Sequence, residues 1–133
     1  MNIHRLLQNV KYTGNPGDFD TDFVTDDSRK VRAGCVFVRS KGGSFDGHTF
    51  AEKAVEIGAK LIVAERDTGV KNQILVENSR QPYALMCGNL FDNPAKKLKM
   101  IGITGTNGKT TSAFLIKDLL QQMGKQVGLM GTV

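Results

Sequence analysis

The residues with the clearest chemical capacity are Gly105, Thr106, Asn107, Gly108, Lys109, Thr110 and Thr111. Glycines let backbone N–H groups turn inward on an anion. A helix that opens at Lys-Thr-Thr adds its unpaired N–H groups and the positive end of its dipole. Together these are the parts of a phosphate cradle, in which Lys109 reaches the outer phosphates and the Thr110 hydroxyl holds Mg²⁺. The spacing is not a strict G-x-x-x-x-G-K-[ST] match: Ile103 stands where the pattern has glycine, and Gly102 falls one residue early. An ordinary glycine turn would explain the glycines but not the Lys-Thr-Thr run. A dinucleotide fingerprint fits less well, because the glycines fall as G-x-x-G-x-x-G with no G-x-G.

Such a loop works only between a buried strand and a helix, and the flanking sequence predicts both. Residues 100–103 form a short apolar run that reads as a parallel strand. A helix follows from Thr110 to about Met123, with Ala113, Ile116, Leu120 and Met123 on its inner face. Gly124 closes it, and residues 127–130 read as the next parallel strand. Upstream, Ile3, Leu6, Leu7 and Val10 predict a short N-terminal helix over 3–10. Residues 23–25, 35–39, 61–64 and 74–76 read as strands. Residues 49–58 predict a helix with Phe50, Ala54 and Ile57 inward. Another runs over 81–91, capped by Asn78 or Ser79, with Tyr83, Met86, Cys87 and Leu90 buried. Asp92-Asn93-Pro94 stops it.

The expected class is therefore α/β. A small α/β domain over 1–95 is followed, after a hinge, by the first β-α-β unit of a phosphate-loop domain over 99–133. A phosphate-loop domain needs more strands than that stretch supplies, and its single carboxylate, Asp118, lies mid-helix. The chain is thus expected to be the N-terminal piece of a larger protein.

Composition narrows the partners. The 133 residues are 40% apolar with a net charge of +5, which suits a globular protein with a real core. Residues 99–133 carry four Lys and one Asp, so +3 of that charge surrounds the loop. No aromatic residues interleave with the lysines, so an anionic small ligand is a better inference than nucleic acid. No apolar run approaches membrane-spanning length, and the first ten residues lack a signal-peptide core. Cys35 and Cys87, far apart in apolar surroundings, read as buried thiols.

Three stretches resemble one family. Ile103-Thr-Gly-Thr-Asn-Gly-Lys-Thr-Thr111 is similar to the ATP loop of the Mur ligases. Asp27-Ser-Arg-Lys-Val31, Gly34-x-x-Phe37-Val38 and Gly43-x-x-Asp46-Gly47-His48-x-Phe50 resemble that family's uridine-nucleotide domain. The end, Gly128-Leu-Met-Gly-Thr-Val133, resembles the strand beyond the ATP loop in its third-step members. The resemblance implies a cytoplasmic, monomeric, ATP- and Mg²⁺-dependent amide ligase of peptidoglycan synthesis. Such an enzyme adds an amino acid to UDP-N-acetylmuramoyl-L-alanyl-D-glutamate through an acyl phosphate, with no nucleic-acid or membrane partner. By the same resemblance Asp26 and Ser28 contact the uracil end of the nucleotide. Gly43, Ser44 and Phe45 contact its uridine diphosphate, and residues 105–111 take the ATP. His48 is expected to pack or cap a helix. Two other readings compete: the fourth-step ligase that adds D-Ala-D-Ala, and a non-catalytic module that holds a uridine nucleotide. The piece by itself is expected to have no ligase activity, because it lacks an acceptor site.

Overall fold

The computed structural model describes residues 1–39 and 47–131, with the side chains of 47–49 left aside. It divides into two units, Met1–Lys97 and Leu98–Val133.

The first unit is built on four parallel strands: β1 (Val24–Thr25), β2 (Val36–Val38), β3 (Leu61–Ala64) and β4 (Gln73–Leu75). They lie side by side in chain order, with Val24 opposite Val36, Phe37 opposite Ile62 and Val63 opposite Ile74. Every residue of β1, β2 and β3 is buried, as continuous apolar runs in a parallel sheet require. Alternation then sorts them by face. Val24, Val36, Val38, Leu61, Val63 and Ile74 pack with Ile3, Leu6 and Met86; Phe37, Ile62 and Ala64 pack with Ala51, Ala54 and Ala59. The outer edge of β4 is closed by Thr13, which exchanges two backbone hydrogen bonds of 2.9 Å with Leu75.

Helices α1 (Ile3–Leu6) and α3 (Arg80–Leu90) cover the first face, and α2 (Gly47–Ile57) the second. Three details differ from expectation. The first helix is one turn, not eight residues, because Asn9 takes a φ of 67° and the Val10 N–H closes onto the Leu7 carbonyl. In α2 Ala54 is buried as expected, but among the described residues it is joined by Ala51, whereas Phe50 and Ile57 are 38% and 53% exposed. Alanines let the helix axis approach the sheet closely; larger side chains would hold it away. In α3 the deepest residues are Pro82, Met86 and Asn89, and Cys87 is only half-buried. Asn89 Nδ2 donates to the carbonyls of Leu6 at 2.9 Å and Gln8 at 2.8 Å, which satisfies the end of α1.

The start of α3 is held as a capping motif. Asn78 accepts the Arg80 N–H at 2.9 Å, while Ser79 donates its hydroxyl to Glu65 at 2.9 Å. Its end turns through Asp92 and Asn93, both at positive φ.

Among the described residues the second unit contains one helix, α4 (Lys109–Gln122), preceded by the glycine loop. Residues 100–103 and 127–130, expected as strands, form no strand among the described residues. A strand exists through its ladder, and neither segment has a hydrogen-bonded neighbour. On α4, Ala113, Ile116 and Leu120 are half-buried, as their spacing predicts, but Met123 is 70% exposed. No helix among the described residues is long and apolar enough to cross a membrane.

Candidate functional site

Two regions hold the residues singled out from the sequence, one in each unit.

In the first unit, ligand sites of parallel sheets lie beyond the carboxyl ends of the strands. There β1 gives way to Asp26, Asp27 and a single 3₁₀ turn, Ser28–Lys30. The turn is tightly braced. Asp27 Oδ1 accepts both the backbone N–H and Nε–H of Arg29 at 3.0 Å, and Oδ2 accepts Nη2–H at 2.9 Å. The Asp27 N–H donates to Thr25 Oγ1 at 3.1 Å, and Thr25 is buried in β1. The Arg29 guanidinium, followed by its backbone N–H, holds the Asp27 carboxyl down at about 2. Ser28 is half-buried between these two fixed neighbours, and Asp26 is exposed at the rim.

Asp26 has a neighbour far from it in the chain. Tyr83, from α3, lies close enough to Asp26 and Cys87 for both to act on its hydroxyl. Burial, then the charges of Cys87 and Asp26, push the Tyr83 hydroxyl up to about 12, and burial raises the Cys87 thiol as well. No local sequence signal links positions 26 and 83; only the packing of α3 on β1 brings them together. Gly43, Ser44 and Phe45, with the Asp46 of their motif, lie outside the described residues.

In the second unit the loop has the backbone of an anion cradle. Gly105 and Gly108 have φ of 151° and 72°. Gly108 is the N-cap of α4, and no side chain caps this end of the helix. A Cβ on Gly108 would meet nothing within 4 Å, so its glycine is required by conformation and not by crowding. Lys109 Nζ turns back to donate to the carbonyls of Gly105 at 2.5 Å and Thr106 at 3.4 Å. The ammonium is thus held over the loop by two backbone carbonyls. An oxyanion presented to the loop would be a stronger acceptor for the same ammonium. Thr106, Asn107, Thr110 and Thr111 are all exposed around it. Among the described residues no cluster of three His, Cys, Asp or Glu could hold a metal alone. A cation here would share its ligation with phosphate oxygens, the usual arrangement for Mg²⁺.

The Mur ligase family, catalytic domain, matches residues 20–102, and the chain belongs to that family. The match spans the Asp26–Ser28 turn and ends before Gly105.

The chain is similar over its whole length to UDP-N-acetylmuramoyl-L-alanyl-D-glutamate–2,6-diaminopimelate ligases. It is 42% identical to that of Clostridium tetani and 37% identical to that of Listeria monocytogenes, covering 29% and 28% of them. The chain therefore spans about three tenths of the length of the curated relatives it matches. Among solved structures, MurF from Acinetobacter baumannii superposes with a TM-score of 0.62 at 25% identity, over 90% of this chain and 27% of that one. The MurF ligase from Thermotoga maritima in complex with ADP gives a TM-score of 0.52 at 35% identity, over 74% and 23%.

Proposed function

We propose that this chain is part of an ATP-dependent amide ligase that adds 2,6-diaminopimelate to UDP-N-acetylmuramoyl-L-alanyl-D-glutamate in peptidoglycan synthesis. The observation that carries this reading is the 42% identity, over the whole chain, to a ligase of that name. The fold shared with the MurF ligases of Acinetobacter baumannii and Thermotoga maritima supports the family, but at 25% and 35% identity over part of the chain it favours the fourth step less than 42% over the whole chain favours the third. On this reading the protein is a cytoplasmic monomer with no nucleic-acid or membrane partner.

The first unit, 1–95, docks the uridine nucleotide through Asp26 and Ser28, together with Gly43, Ser44 and Phe45. The second, 99–133, begins the ATP-binding domain. ATP with Mg²⁺ supplies the phosphoryl group that activates the substrate carboxylate. The open backbone of Gly105 and Gly108 fits this role, as does an α4 terminus without a side-chain cap. Residues 105–108 present N–H groups to the phosphates, and Thr110 and Thr111 sit at the first turn of the helix. Lys109 leaves the Gly105 and Thr106 carbonyls for the outer phosphate, where charge builds during transfer. The Thr110 hydroxyl is the ligand this chain offers to Mg²⁺.

Two measurements on the full-length protein test the reading. Calorimetry with UDP-N-acetylmuramoyl-L-alanyl-D-glutamate should give binding that UDP competes away; no heat and no competition would overturn it. Lys109→Ala should lower substrate-dependent ADP release by about 10²–10³-fold, the usual cost of losing one group that stabilises developing charge. Undiminished turnover would remove Lys109 from the mechanism. Competition between 2,6-diaminopimelate and D-Ala-D-Ala as acceptors separates the third step from the fourth.

A further inference from the structure

Beside a nucleotide diphosphate, an arginine that is 88% exposed would ordinarily be taken for a phosphate ligand. The geometry around Arg29 points elsewhere. Its guanidinium grips both oxygens of Asp27, at 3.0 and 2.9 Å, and its backbone N–H donates to the same carboxylate. Asp27 is in turn tied to the sheet: Thr25 Oγ1 accepts its N–H at 3.1 Å and donates to its carbonyl at 3.4 Å. Its carboxylate side chain is only 22% exposed. Ser28 therefore sits between two residues whose positions are fixed from β1 outward.

The turn needs this help. It is a three-residue 3₁₀ helix, and its closing bond, from the Val31 N–H to the Ser28 carbonyl, is a long 3.5 Å. The Lys30 N–H also closes onto the Asp27 carbonyl at 3.0 Å, which sets the backbone of the turn; the Asp27 carboxylate adds the side-chain bonds that fix it against Arg29.

We infer that Asp27 and Arg29 are positioning residues for Ser28: they form a strut that aims its hydroxyl and do not contact the nucleotide themselves. This rests on the proposed role of Ser28 in docking the uridine nucleotide. Because an exposed ion pair contributes little to global stability, the strut acts on the site more than on the fold.

The test is a double-mutant cycle in the full-length enzyme, reading KM for the uridine-nucleotide substrate, kcat and Tm. Asp27→Ala should raise KM about threefold to tenfold, the scale of one misplaced hydrogen bond, with kcat within about twofold. Arg29→Ala should follow in the same direction, and Arg29→Lys should fall between it and the unaltered enzyme, since an ammonium cannot grip both oxygens. In a Ser28→Ala background, Asp27→Ala should add less than about twofold. If Asp27→Ala adds its full factor there, or leaves KM unchanged while Ser28→Ala raises it, the strut is refuted and the docking role of Ser28 survives. If Ser28→Ala leaves KM unchanged, the docking role fails and this inference falls with it. Should Asp27→Ala lower Tm enough to prevent assay, the Arg29 pair of variants decides alone by the same criteria.

Discussion

The two units organise their apolar residues in opposite ways. In Met1–Lys97 the sheet is covered on both faces, and every side chain of β1, β2 and β3 is buried. In Leu98–Val133 no residue of α4 is buried, and Met100, Leu119 and Met130 face outward. Yet the loop at Gly105 and Gly108 has its positive-φ backbone, and Lys109 closes over it. The difference teaches that a phosphate-type loop is a local device, written within a few residues of itself. A strand needs a neighbour and a core needs an opposing face, and those come from elsewhere in the chain.

The sharpest break would come from the core of the first unit. Leu61→Ala removes a fully buried side chain at the centre of the sheet, and should destabilise this unit by about 2–5 kcal/mol in urea unfolding. Asn89→Ala comes next. It leaves the Leu6 and Gln8 carbonyls without their buried donor, at about 1–3 kcal/mol, and amide exchange over α1 should accelerate before that of the sheet. A loss spread evenly over the unit would deny Asn89 its local role.

Smaller effects follow with pH. Asp27 has its carboxyl lowered to about 2 in the folded state, so it stabilises above the ordinary carboxylate range, and that share disappears as pH falls through 2. Tyr83 is raised to about 12, so its share is intact below 10 and vanishes as pH rises toward 12. Ultraviolet titration should show a tyrosinate step near 12 that Tyr83→Phe removes; a single step at 10 would contradict the packed environment. The smallest effect belongs to the second unit. Leu119→Ala, at a side chain 60% exposed, should change urea stability of this chain by less than about 0.5 kcal/mol. A loss as large as that of Leu61→Ala would erase the contrast between the two units.

Much of this arrangement was readable from residues alone. The apolar runs that became β2 and β3, the helix stop at Asp92, Asn93 and Pro94, and the Lys-Thr-Thr helix start all depend on near neighbours. Where the sequence misled, distance or size was responsible. Ala54 faces the sheet as expected, but Phe50 and Ile57 outrank alanine in hydrophobicity and yet give way to Ala51, because small residues permit the close approach. Asn89 reads as a surface residue until its two carbonyl partners, 83 and 81 positions earlier, are brought beside it. Asp26 and Tyr83 meet for the same reason. The strands expected at 100–103 and 127–130 were legible as apolar segments, but composition cannot furnish the ladder that would make them strands.

The reach of Asn89 has a consequence for synthesis on the ribosome. Each strand of this sheet pairs with the one translated just before it, so the sheet can lengthen as the chain emerges. The first helical turn has no such luck. Residues 1–3 are tied early, to Phe19 and Thr21, but the Leu6 and Gln8 carbonyls wait for an amide made more than eighty codons later, so the end of this turn is closed only once α3 has been translated.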